Sequence, residues 1–189
     1  IPSGIVTTAW PGVEFWLGRL GMPFDGWQQG IGQLALGKRK DGLYACTVGG
    51  VYLSIPRQVG KTYMMAGLVF ALCLLYPGLT VIWTAHRTKT AAETFQAMRG
   101  MTRRRKVAPY IEKTPKNNEE WGVFFTNGSR ILFGAREDGF GRGFAQVDVL
   151  VFDEAQILGT RALDGLRPAV HASRIPGGGL ASYVGTPPK

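Results

Sequence analysis

The sequence predicts an α/β fold: a mostly parallel central sheet covered by helices, with an added antiparallel hairpin. Three observations carry that expectation. Short, almost wholly apolar runs at Val51–Ile55, Leu79–Trp83 and Val147–Phe152 have the length and continuity of strands buried on both faces. Longer helical stretches alternate with them, as parallel sheets require. Val123–Phe125 and Arg130–Phe133 flank Thr126-Asn127-Gly128-Ser129, and Asn-Gly accepts the positive φ of a hairpin turn.

In chain order, residues 1–25 mix Trp, Gly and Pro and read as an irregular N-terminal cap with one short helix near Val13–Leu20. Residues 26–189 read as one α/β domain. Its first helix, Gly26–Leu36, carries Trp27, Ile31, Leu34 and Ala35 on one face, and the basic Lys38–Lys40 suits a helix C-terminus. The strand Val51–Ile55 leads through a glycine-bearing turn into the helix Lys61–Tyr76, which Pro77-Gly78 ends. Leu79–Trp83 is a second strand, Lys89–Lys106 a second long helix, and the hairpin follows. After Val147–Phe152 come a helical stretch near Arg161–His171, three glycines at 177–179, and a last strand, Leu180–Val184.

A length of 189 residues suits one medium domain with a single core. With 45% apolar residues the composition is that of a globular chain, not a disordered or membrane one. The longest apolar run, Met64–Tyr76, has thirteen residues, against the roughly 20 a bilayer needs, so it reads as a buried helix and no membrane partner is expected. The 22 Lys+Arg exceed the 13 Asp+Glu by nine, a surplus that favours a polyanionic partner. Cys46 and Cys73 lack metal-ligand spacing and fit a reducing, intracellular compartment. A start at Ile1, without Met or a signal-like segment, reads as a domain trimmed from a longer protein.

The segment joining the first core strand to its helix is Ser54-Ile55-Pro56-Arg57-Gln58-Val59-Gly60-Lys61-Thr62. In a phosphate-binding loop, successive backbone N–H groups and a helix N-terminus face the anion. A lysine reaches the β and γ oxygens, and the following Ser/Thr hydroxyl holds Mg²⁺. Gly60, Lys61 and Thr62 supply the second half of that motif, whereas Ile55 stands where its first glycine belongs. As a bare tripeptide this is equally a plain strand-to-helix turn; its position between an apolar strand and an apolar helix favours the anion-binding reading.

Ninety-two residues after Lys61, the apolar run Val149–Phe152 ends in Asp153-Glu154. At a strand's C-terminal end, Asp153 would emerge beside the loop and bind Mg²⁺, and Glu154 would polarise the water that attacks the γ-phosphate. Alone, such a pair could simply cap the next helix. Together with the loop it implies ATP and Mg²⁺ as ligands.

These residues resemble the ATPase domain of phage terminase large subunits, whose variant loop also has arginine where small residues are usual, as at Arg57. Trp27-Gln28 lies upstream of the loop like the family's adenine-reading glutamine. Asp153-Glu154 matches its second nucleotide motif, and Val184-Gly185-Thr186-Pro187 resembles its coupling motif. The resemblance spans about Pro23 to Pro188 and implies a RecA-like (ASCE) P-loop core that hydrolyses ATP to move double-stranded DNA into a procapsid. It further implies a portal protein and a small terminase subunit as partners, a homo-oligomeric ring (a monomer in isolation), and action in the host cytoplasm. The family's C-terminal nuclease domain is absent from this chain.

Carried over residue by residue, Arg57, Gln58, Val59, Gly60, Lys61 and Thr62 cradle the nucleotide. Gln28 reads adenine, with Gln29 a substitute; Arg57 senses the γ-phosphate; Thr186 relays nucleotide state. A trans-acting arginine is expected at Arg142, with Arg136 second; otherwise both are solvated loop cations. Arg103–Lys106 is either a solvated helix end or a contact for DNA phosphates. His86 and His171 lack metal-spaced partners and read as non-catalytic, and Trp10, Trp16 and Trp27 as packing residues. Two other readings compete. Asp153-Glu154-Ala155-Gln156 looks like a helicase DEAQ box, but a second RecA-like domain is missing. A basic DNA-binding module with a vestigial loop would not need Lys61, Thr62 and both carboxylates intact.

Overall fold

The computed structural model describes residues 4–47, 49–56, 58–117, 120–137, 139–140, 143–159, 166, 168–173 and 175–187. Two short strands, β1 (Ile5–Thr8) and β2 (Gly37–Arg39), pair antiparallel and bracket α1 (Trp10–Leu20) and α2 (Gly26–Ala35). The main body alternates β3 (Val51–Ser54), α3 (Lys61–Leu75), β4 (Thr80–Ala85) and α4 (Thr88–Thr102). It continues through β5 (Ile111–Lys113), β6 (Lys116–Asn117), β7 (Glu120–Phe125), β8 (Arg130–Ala135), β9 (Val149–Phe152) and β10 (Leu180–Gly185).

The large sheet runs β3-β10-β9-β4-β8-β7-β5, with β6 also paired to β7. From β3 to β8 every pairing is parallel, and β5, β6 and β8 each pair antiparallel with β7. This is the expected sheet with its hairpin. Strands β4 and β9 are buried along their whole length, which explains why β9 is wholly apolar and β4 is apolar apart from Thr80 and Thr84.

One face of the sheet packs against α3, α1 and the Phe95–Met98 side of α4 in a single apolar cluster. The other face packs Ile82, Leu150 and Phe152 against Phe140, Phe144, Leu166 and Val170. Helix α3 is buried continuously from Met64 to Leu74, because α1 lies on its outer side. Gly67 makes that crossing possible: a Cβ there would sit 2.8 Å from the Phe24 ring and 3.1 Å from Leu17. The last carbonyls of α3 are satisfied by the hairpin loop. Asn127 Nδ2 and Ser129 Oγ both donate to Cys73 O at 2.8 Å, while Gly128 takes φ +84° to turn the chain.

Four expectations need correction. The N-terminal segment is not irregular: α1 starts at Trp10, and Trp10, Val13, Leu17 and Leu20 join the main core. Helix α2 does not bury Trp27 and Leu34, which are 40% and 48% exposed, while Ile31 is half-buried against the main core. Its inner stripe is Gln28, Gly32 and Ala35, because Gly32 lies flat against the Trp10 ring and pulls that side inward. Lys38 and Arg39 belong to a strand, not a helix end. Helix α4 stops at Thr102, leaving Arg103–Lys106 in turns where Arg104 lies over the Tyr63 ring at 5.7 Å. Of the helix expected at Arg161–His171, residues 166 and 168–171 are helical and the rest lie outside the described residues.

Candidate active site

Parallel strands point their C-terminal ends one way, so whatever follows β3, β10, β9 and β4 emerges along one edge of the sheet. The register sets Ser54 beside Gly185, Tyr183 beside Phe152, and Phe152 beside Thr84. The loop after β3, Thr186 after β10, the Asp153-Glu154 pair after β9 and His86 after β4 therefore share that edge. The loop and the carboxylates do come to one side of the molecule, with β10 between them.

The loop's geometry accounts for its missing first glycine. Ile55 donates its N–H to Gly185 O at 3.2 Å and so prolongs the β3–β10 ladder by one residue. The left-handed positions fall later, at Gln58 (φ +63°) and Gly60 (φ +90°), so an isoleucine at the start carries no steric penalty. Gly60 O accepts from Met64 N–H to open α3. Arg57 lies outside the described residues.

Lys61 Nζ donates to Ile55 O at 2.8 Å, Gly185 O at 3.1 Å and Thr186 Oγ1 at 2.7 Å. The loop lysine thus touches Thr186 directly. Thr186 N–H also donates to Gln156 Oε1 at 3.3 Å, tying the same residue to the segment after the acidic pair.

The two carboxylates diverge because Glu154 is left-handed (φ +53°). Asp153 Oδ1 accepts the Glu154 N–H at 2.9 Å and Oδ2 accepts from Thr94 Oγ1 at 3.4 Å. Burial pushes the Asp153 carboxyl up from the ordinary carboxylate value, while the Glu154 amide and the Lys61 charge pull it down. Glu154 turns toward the start of α4, where Oε2 accepts the His86 N–H at 3.3 Å and Oε1 accepts from Thr90 Oγ1 at 3.5 Å. His86 contributes its backbone N–H to these contacts.

The donor set fits Mg²⁺ bound largely by phosphate and water. Thr62 lies half-buried in the first turn of α3, and Asp153 is a half-buried carboxylate whose burial favours a neighbouring cation. Among the described residues no group of three His, Cys, Asp or Glu could cage a metal on its own, and Mg²⁺ with phosphates needs only one or two protein oxygens.

Gln28 is 4% exposed. Its Oε1 accepts the Asp25 N–H at 2.9 Å in a capping box at the start of α2. A Cβ on Gly60 would lie 3.4 Å from its Nε2. The helix cap therefore fixes the amide with its NH₂ group against the loop. Gln29 Nε2 donates instead to Phe24 O at 2.9 Å.

Arg142 lies outside the described residues. Arg136 turns inward, donating Nη1–H to Thr84 O at 2.9 Å and Thr84 Oγ1 at 3.1 Å. Burial lowers its pKa while the Glu154 and Asp153 charges raise it. Residues that sequence reasoning missed, Thr84, Thr90 and Thr94, all come from the β4–α4 junction. The one available signal was a pair of threonines one turn apart at a helix start.

Comparison with known proteins bears on the family and the fold. The model of the N-terminal part of the terminase large subunit, T4-like-virus type, matches residues 52–168, more than half the chain. The large terminase of bacteriophage HK97 superimposes with TM-score 0.71 at 19% identity, covering 94% of this chain and 38% of its own. The ATPase domain of the Thermus phage P74-26 large terminase gives 0.67 at 17% identity, covering 97% and 71%. The large terminase of a thermophilic bacteriophage in complex with ADP gives 0.52 at 14%, covering 71% and 33%. The chain thus spans about two fifths of the HK97 protein. No curated protein matches it in sequence. With its RecA-like α/β sheet and a family model that covers most of that sheet, the chain belongs to the phage terminase large subunits, within their N-terminal region.

Proposed function

We propose that this chain hydrolyses ATP and that hydrolysis drives double-stranded DNA into a procapsid. The observation that carries the reading is the shared edge on which Lys61 contacts Thr186 while Asp153 and Glu154 project from the next strand. Loop amides at Gln58, Val59 and Gly60 cradle the β-phosphate, and Lys61 exchanges its present acceptors for phosphate oxygens. Thr62 and Asp153 hold Mg²⁺, which neutralises charge on the phosphates. Glu154 takes the proton of the attacking water and holds its oxygen in line with the γ-phosphorus. Gln28 offers its NH₂ group to adenine, Arg57 senses the γ-phosphate, and Arg142 enters a neighbour's site in an assembled ring. Thr186 relays the state of Lys61 to the rest of the motor.

Residues 26–189 are the ATPase domain on this reading. Portal protein and small terminase subunit are partners, in the host cytoplasm; among the described residues no helix is long and apolar enough to cross a membrane. The net charge of +9 and the exposed Arg103–Lys106 turn favour contact with DNA phosphates. Family membership supports packaging over strand separation. Glu154→Gln should retain nucleotide and stop releasing phosphate. Equal release by wild type and variant would refute the catalytic assignment, and unwinding of a forked duplex would favour a helicase.

A further inference from the structure

Arg136 follows β8 directly, and its backbone N–H donates to Ala85 O at 2.9 Å. Its side chain then folds back under the site. Nη1 donates to both the carbonyl and the hydroxyl of Thr84, at 2.9 and 3.1 Å. Thr84 is fully buried, and its carbonyl also accepts the Asp153 N–H at 2.8 Å. Its hydroxyl reaches Val151 O at 3.4 Å. A carbonyl has two lone pairs, so one oxygen joins the guanidinium to the backbone of the metal-binding aspartate.

The guanidinium is also braced from the side. Its carbon lies 6.0 Å from the Phe152 ring centroid, within cation–π range. Phe152 stacks on Tyr183 at 4.9 Å and 11°. Tyr183 in turn stacks on Tyr52 at 4.3 Å and 6°. The side chain therefore touches the ends of β8, β4 and β9 together. Its remaining terminal nitrogen, Nη2, is buried without a hydrogen-bond partner among the described residues, in the field of the two site carboxylates.

A finger that enters a neighbouring subunit must extend its guanidinium outward. This one is committed to its own sheet. We propose that Arg136 is a positioning residue of its own subunit's site, clamping the Thr84 carbonyl so that Asp153 and Glu154 keep their places at the end of β9. The inference rests on the ATPase reading for its kinetic consequence but on geometry alone for its structural one. A lysine could keep one bond to Thr84 but not the planar fork and ring contact.

The test compares wild type with Arg136→Met and Arg136→Lys, reading two quantities. Amide hydrogen exchange at Asp153 should be about tenfold faster in Arg136→Met and intermediate in Arg136→Lys, with α3 unchanged. ATP turnover per subunit should fall about 10²-fold, the scale of a catalytic group displaced by an ångström, in kcat and not in nucleotide Kd. That fall should appear at every protein concentration. Unchanged exchange at Asp153 would overturn the proposal. So would a rate loss confined to the part of turnover that rises with protein concentration, the signature of action on a neighbour. If Arg136→Met does not fold, Arg136→Lys carries both readouts. Wild type that releases no phosphate, with the exchange effect present, would sink the ATPase reading and leave the clamp standing.

Discussion

Helix α2 offers a paired test of how Gln28, the proposed adenine contact, is held. Gly30 and Gly32 lie two residues apart in it. A Cβ at Gly30 would meet nothing within 4 Å, whereas one at Gly32 would fall 2.2 Å from Cζ3 and 2.6 Å from Cε3 of Trp10. Replacing a helical glycine by alanine ordinarily stabilises by about 0.5–1 kcal/mol. Gly30→Ala should show that gain. At Gly32 the ring cannot move aside, since Trp10 is 4% exposed and packed against Phe24 at 5.9 Å. Overpacking of this kind costs roughly 1–3 kcal/mol, which outweighs the propensity gain and leaves a net loss of about 1–2 kcal/mol. For a domain of this size each kcal/mol moves Tm by about 2–4 °C. Calorimetry should therefore find Gly30→Ala a few degrees above wild type and Gly32→Ala a few degrees below. Because Gln28 sits one turn before Gly32 on the same buried stripe, Gly32→Ala should also raise KM for ATP more than it lowers kcat. If both variants melt higher by the same amount, Trp10 is not packed as described and the account of Gln28 fails with it.

Other outcomes follow from single contacts. Thr186→Val removes the hydroxyl that accepts from Lys61 Nζ; basal phosphate release should persist while its stimulation by duplex DNA is lost, as measured with and without DNA. Asp148→Ala strips the buried carboxylate that accepts from the Thr80 N–H and the Ser173 hydroxyl. It should cost about 1–3 kcal/mol, read as a lower urea midpoint. Burial pushes the Cys46 thiol from 9.0 up to about 11. The stability held by the neutral thiol is complete below the unfolded value and is lost as pH climbs through that interval, at up to about 1.4 kcal/mol per unit. Denaturant unfolding between pH 8 and 11 should thus decline more steeply for wild type than for Cys46→Ala.

What was legible beforehand followed from strong local signals. Apolar runs of four to six residues have strand length and the thirteen-residue run Met64–Tyr76 has helix length, so β4, β9 and α3 were readable, and Gly60-Lys61-Thr62 with Asp153-Glu154 marked the two sides of the candidate site. Less was readable where tertiary packing overrides periodicity. Trp27 and Leu34, both exposed, look like part of a core face until Gly32 meets Trp10. β5 and β6 are strands only because β7 pairs with them; their charged and polar sequences contain no such instruction. The threonines around the acidic pair act through positions brought close by the crossover, which spacing alone does not reveal. Nor does sequence show that the loop's left-handed turn falls at Gln58 and so frees Ile55.

One strand, β10, stands between the loop after β3 and the acidic pair. Hydrogen-bonded neighbours in a sheet are spaced by about 4.8 Å, so the two walls are held roughly 10 Å apart by covalent and hydrogen-bonded geometry that hardly stretches. The sheet acts as a fixed gauge for the width of the cleft. Under the proposed function, a mechanical stroke must then be made by the segments beyond the strand ends, with Thr186 at the midpoint of the gauge between the two walls.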